Sequence, residues 1–201
     1  RDVKNPTQDP FFSELIGALE NEIRSHGYYM MLYMARDVEE NLRMASAWNV
    51  EGLIVFGFNK DCATKMKRNT DKPIVFIDGY FHEDDITYTN IGLQDKEGAY
   101  QMTKYLIENG HRRIAFLADD PNPIGTDIER LEGYKLALKE NGIRFNKDDF
   151  IFIGYDQNER AIILNDIIQT KLEEYTALFF ASDFYAASAV YYFEDKNIKV
   201  P

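Results

Sequence analysis

The sequence predicts an α/β protein with parallel sheets flanked by helices, and three observations predict it. Helix-period segments alternate with short apolar runs along the whole chain. The links between them are short, with no Pro/Gly/Ser linker or low-complexity tract. One longer break, residues 81–98, divides the alternating units into two similar sets. Strands that alternate with helices run parallel, because each helical crossover returns the chain to the same end of the sheet. The reading is therefore two Rossmann-like lobes, residues 1–93 and 94–201.

Each element follows from its own residues. Residues 13–25 place Leu15, Ile16, Leu19 and Ile23 on one helical face, and His26-Gly27 ends the helix. YYMMLYMA (28–35) reads as a buried strand and residues 38–48 as a second helix. GLIVFGF (52–58) is the next strand, 61–68 a short helix, and PIVFIDGY (73–80) another strand. Beyond a loop containing His-Glu-Asp-Asp, residues 87–91 form a short strand that leads into a crossover. Helix 96–109 and strand IAFLAD (114–119) resume the pattern. Helix 127–141, strand FIFIGY (150–155), helix 159–172, strand ALFFASD (177–183) and helix 184–195 complete it.

Composition excludes several classes. At 201 residues, 45% hydrophobic and 14% aromatic, the chain can bury a real core. A net charge of −11 and a pI near 4.8 argue against this chain gripping a phosphate backbone, which needs a basic face. Cys62 is the only cysteine, so there is neither an internal disulfide nor a cysteine metal cage, which fits a cytoplasmic setting. No run of about 18 apolar residues is present, so no transmembrane helix is predicted. The opening RDVKNPTQDP is not a signal peptide, and a first residue other than Met leads us to expect an upstream segment.

Catalytic motifs are missing. His26, His82 and His111 are far apart and have no partner at ligand spacing, so no metal site is predicted. GxSxG, a Walker A loop and GxGxxG are all absent, so no enzyme and no cofactor is predicted. The acidic runs at 82–85 and 147–149 read as solvated loops. Gly110-His111-Arg112-Arg113 reads as a joint: a glycine free to take positive φ, basic residues at a negative helix end, then a strand.

Polar and aromatic residues at strand ends and helix starts remain. Asp9-Pro10-Phe11-Phe12 offers a cap, a first-turn proline and two aromatics that default to core or staple. Asp78 ends a strand, and Ser182-Asp183 ends another and caps the last helix. Arg130 starts a helix, with Glu129 and Glu132 as nearby partners. Taken singly, each has a sufficient structural explanation.

Their order, however, resembles a family. Gly-His-Arg-Arg before an apolar strand, then Arg130-Leu-Glu-Gly-Tyr134 and Phe180-Ala-Ser-Asp183, is similar to the regulatory domain of LacI/GalR-type transcriptional repressors. DPFFSELIGALE resembles the family's opening helix, and EGLIV (51–55) and PIVFID (73–78) resemble its next two strands. The ending NIKVP resembles the segment before a strand that closes in Gly-Tyr/Phe-Asp. The resemblance covers essentially the whole chain. It implies a fold like the type I periplasmic binding proteins, and a domain that binds a small effector, chiefly a sugar or sugar derivative, between two lobes. It also implies a homodimer, and operator DNA bound through a helix-turn-helix headpiece that these residues do not contain.

The resemblance further implies roles at matching positions. Phe11 and Phe12 line the ligand as aromatic faces. Asp78 accepts hydrogen bonds from ligand hydroxyls, and Arg130 donates to the effector through its planar fork. Ser182 falls where many members have Asn, Asp183 matches the acidic residue beside it, and Tyr155 is the nearest match to an aromatic that often follows Gly-Asp. The family's last acidic contact falls beyond Pro201. An extracytoplasmic sugar-binding protein of a transporter or chemoreceptor shares the fold and is the alternative. A basic helix-turn-helix upstream favours the repressor, a signal peptide the transporter.

Overall fold

The computed structural model describes residues 10–34, 38–56, 60–80, 88–123, 125–154 and 156–200. The chain divides into two compact units, residues 1–51 with 65–72 and residues 52–64 with 73–201.

The first unit holds α1 (Pro10–Ser25) and α2 (Val38–Ala47). Pro10 takes the first helical position, where its missing N–H costs nothing. Phe12, Leu15, Ile16, Leu19 and Ile23 form a half-buried stripe at helical spacing. The strand expected at 28–35 is not seen: residues 28–34 pair with no strand among the described residues, and Tyr29 is 94% exposed. The run is apolar in composition, but a strand exists only where its backbone finds a partner. Tyr33 instead meets Trp48 edge to face at 5.1 Å.

The second unit holds two parallel sheets. In the first, β1 (Leu53–Phe56), β2 (Ile74–Ile77) and β3 (Thr89–Ile91) lie in the order β1-β2-β3, with Val55 opposite Phe76 and Phe76 opposite Asn90. Helix α3 (Lys60–Asn69) connects β1 to β2. In the second sheet, β4 (Ile114–Ala118) lies between β5 (Phe150–Phe152) and β6 (Ala177–Phe180). The helices of this half are α4 (Asp95–Glu108), α5 (Thr126–Glu140), α6 (Gln157–Asp166) and α7 (Asp183–Asp195). The helix expected to run to residue 172 leaves α geometry early, in a π-helical turn at Ile167–Lys171.

All five residues of β4 are buried, and alternate residues feed two cores. Ala115 and Leu117 join Ile151, Ile153, Leu164 and Phe193 on one face. Ile114, Phe116 and Ala118 join Ile107, Leu131, Tyr134 and Leu138 on the other. The Phe116 ring stacks on Phe179 at 5.3 Å and Phe150 at 6.1 Å, and lies 5.3 Å from Tyr134. Tyr134 donates its hydroxyl proton to the Ile114 carbonyl at 2.7 Å, so its one polar atom is satisfied in the core. Helices α4 and α5 pack so closely that a Cβ on Gly133 would stand 2.0 Å from the Lys96 carbonyl oxygen.

The run from Gly110 to Arg113 is a joint, as expected. Gly110 has φ +94°, and the Gly110 and His111 N–H groups donate to Ile107 and Leu106, which closes α4 in a Schellman turn. Arg112 donates to the Ile107 carbonyl at 2.9 Å. Arg113 pairs with Glu174, lies 3.5 Å from Asp149, and covers the Tyr175 ring at 5.1 Å. Residues 147–149 are solvated, as their charge led us to expect, at Lys147 and Asp148 but not at Asp149. They form a short 3-10 turn in which Asp149, 4% exposed, accepts the Asn146 N–H at 2.8 Å and bonds Tyr175. An acidic residue with three such partners tolerates burial. The other acidic run, 82–85, lies outside the described residues.

Candidate functional site

The carboxyl ends of β2 and β6 and the first turns of α4 and α5 converge in the second unit, the end of a parallel sheet where ligands bind. Asp78 follows β2 directly and holds a left-handed backbone, φ +54°. For a residue with a Cβ this conformation costs about 1–2 kcal/mol. Two bonds to β3 hold it there: Asp78 N–H donates to Ile91 at 3.0 Å, and Gly79 N–H donates to Asn90 Oδ1 at 2.9 Å. Gly125, just ahead of α5, comes so near that a Cβ there would be 3.3 Å from the Asp78 carbonyl oxygen.

Arg130 is the hub. Its Nε and Nη2 lie 2.8 and 2.7 Å from Asp95 Oδ1, and Nη1 donates to the Ala181 carbonyl just past β6. Of the local partners expected, Glu132 lies 3.0 Å from Lys135 Nζ, while Asp95 opens α4 directly alongside Arg130. Asp127 Oδ1 lies 3.9 Å from Nη1. Tyr80 donates its hydroxyl proton to Asp95 Oδ2 at 2.6 Å and lies 2.8 Å from the Leu93 carbonyl oxygen.

The carboxylates feel one another. Burial first, and then the Asp95 charge, push the Asp78 carboxyl above its ordinary range, against the pull of Arg130. Asp127 is pushed up to about 6 by burial and by Asp119, again opposed by Arg130. The Tyr80 hydroxyl is pushed up by burial and by its bond to Asp95. Beside this group, Tyr185 on α7 donates to Asp119, and the buried Arg160 guanidinium lies 4.3 Å from the Tyr185 ring centroid.

The sequence-predicted residues therefore fare differently. Asp78 and Arg130 share one local field. Ser182 follows Ala181, the residue Arg130 binds, and stands at the N-cap of α7 without a side-chain cap bond. Asp183 accepts the Phe184 N–H at 2.8 Å, a local backbone role. Phe11 and Phe12 belong to the first unit, edge to face at 6.0 Å, with Phe11 52% exposed. Tyr155 and Asp9 lie outside the described residues. Asp95, Tyr80 and Asp127 were not anticipated; the one signal available was position, since two open helices and the third follows Asp78-Gly79. Among the described residues no group of three or more His, Cys, Asp or Glu is arranged to hold a metal ion, and no helix is long and apolar enough to cross a membrane.

Known proteins are similar to this chain. The repressor PurR of Aliivibrio fischeri (strain MJ11), an HTH-type transcriptional repressor, is 28% identical over 96% of this chain and 58% of its own length. PurR of Vibrio atlanticus (strain LGP32) is 30% identical over 95% of this chain and 58% of its own. The chain thus spans less than two thirds of these relatives. Among solved structures, the transcription regulator CcpA of Lactococcus lactis superposes with a TM-score of 0.78 at 22% identity, over 97% of this chain and 72% of its own. The regulator CelR, solved with cellobiose, gives 0.80 at 21% identity, over 96% and 59%. Residues 3–201 match the family of periplasmic binding proteins and sugar-binding domains of the LacI family. The chain belongs to that family, as an effector-binding domain of the kind LacI-family transcriptional repressors carry.

Proposed function

We propose that this chain is the ligand-sensing and dimerising domain of a cytoplasmic transcriptional regulator, and that its effector is a small polar molecule, a sugar or sugar derivative. The carrying observation is Arg130 held at the carboxyl ends of β2 and β6 among Asp78, Asp95 and Asp127. Such a group offers hydrogen-bond donors and acceptors to ligand hydroxyls without a catalytic pair. In this reading Asp78, Arg130, Ser182 and Asp183 supply polar contacts, Phe11, Phe12 and Tyr155 supply aromatic faces, and the lobes are residues 1–93 and 94–201, one sheet in each.

Operator DNA is contacted by a headpiece outside these residues, which the charge of −11 supports. A homodimer is supported by the exposed face of α7, where Phe184 and Tyr191 are 54% and 71% exposed at helical spacing. The effector shifts DNA affinity by binding one lobe geometry better than the other. Calorimetric titration of the full-length protein with neutral sugars, sugar phosphates and purine bases tests the reading. A saturable binder is expected, weakened at least about tenfold by Arg130→Ala. No binder, or a binder indifferent to Arg130→Ala, rejects it.

A further inference from the structure

Arg130 is not a free cation in its site. Two of its nitrogens lie on Asp95 Oδ1 and the third donates to the Ala181 carbonyl, which leaves one N–H on each terminal nitrogen for anything else. The Asp95 side chain is 3% exposed against 26% for Arg130, so the acid is the interior partner and the arginine edge the accessible one. The other Asp95 oxygen is taken by the Tyr80 hydroxyl. Tyr80 in turn has room only because residue 92 is glycine: a Cβ there would stand 2.6 Å from the hydroxyl oxygen. Asp127 lies on the guanidinium's other flank, and Asp78 shares the field.

We propose that Asp95, held by Tyr80, is the specificity-determining residue of this site: it cancels the charge of Arg130 while fixing its plane, so the site admits neutral, hydroxyl-bearing effectors and rejects phosphorylated or carboxylated ones. This rests on Arg130 being an effector contact. An incoming anion has two routes. It can displace Asp95, stranding a buried carboxylate, which is costly. Or it can use only the remaining N–H groups while facing Asp78, Asp95 and Asp127, which repel it. A neutral polyol meets neither obstacle, since it donates to the carboxylates and accepts from the leftover N–H groups. The same arrangement separates two tasks, geometry and charge, that a lone arginine would combine.

Sulfate and inorganic phosphate are suitable probes, because a small anion needs only the fork. In the full-length wild-type protein, the Arg130 Nε–H resonance, assigned by its loss in Arg130→Lys, is expected not to move on titration with sodium sulfate. Asp95→Asn should bind sulfate at least about tenfold more tightly, as a charged hydrogen bond is released to the anion. Asp95→Glu should restore the exclusion, and Asp95→Asn with Arg130→Lys should lose the gained affinity. A saturable shift of the wild-type resonance, or no gain in a folded Asp95→Asn protein, overturns the proposal. Should Asp95→Asn fail to fold, the wild-type titration decides alone. No effector enters these experiments, so their failure is distinct from failure of the sugar and purine titrations.

Discussion

The two sheets of the second unit share a three-stranded parallel plan and differ in the burial of the middle strand, while in each the flanking strands bury one residue and none. Every residue of β4 is buried and both its faces feed a core. In the first sheet the middle strand β2 buries Ile74, Phe76 and Ile77, β1 buries only Val55, and β3 buries none. The well-packed sheet carries the arginine side of the site through α5 and β6, and the thinner one carries Asp78 at a left-handed backbone. Cohesion and chemistry are thus unevenly shared, with the strained residue placed on the lighter sheet.

The strongest test compares two wholly buried phenylalanines, one in the centre of each sheet. Phe116→Ala removes contacts with three aromatic rings and is expected to cost about 4–5 kcal/mol in urea unfolding. Phe76→Ala loses an edge contact to Tyr88 among its contacts and, on a strand that is not buried throughout, is expected to cost about 3 kcal/mol. Equal costs would break the contrast.

A smaller effect concerns Asp127. Its carboxyl titrates at 3.8 when unfolded and about 6 when folded, so between these values the folded state holds the extra proton. Stability therefore falls as pH rises through that window, and the loss is complete above it. Asp127→Asn should flatten this slope and raise stability at pH 7 by on the order of 2 kcal/mol, with no gain below the lower value. Unfolding curves at a series of pH values check it. An unchanged slope would place the strain elsewhere.

Gly110→Ala should cost least, about 1 kcal/mol, because it strains one backbone position at the end of α4 without touching either sheet. A much larger loss would mean that the joint transmits strain into β4.

The alternation of helix and strand was legible because periodicity is local, and the strands from residue 53 onward follow it except β3, which comes after β2 with no helix described between them. Residues 28–34 show the limit: apolar composition marks a candidate strand, but pairing depends on a distant backbone. Arg130 and Asp78 were legible through motif order, whereas Asp95 was not. It stands 35 residues from Arg130, and only the packing of α4 on α5 joins them. Asp149 was misread for a related reason, since its charge is visible in sequence and its partners Arg113 and Tyr175 are not.

The run Arg130-Leu-Glu-Gly-Tyr134 can now be read as a mechanical part. Gly133 lets α5 sit on the Lys96 carbonyl, next to Asp95, while Tyr134 anchors the same turn to β4. One missing methyl group therefore works as a registration mark. It sets where α4 stops against α5, and so sets the reach of the arginine fork to its acid. Helices locked in this way are expected to move as one piece, so that a motion driven by the proposed effector would carry the ion pair intact.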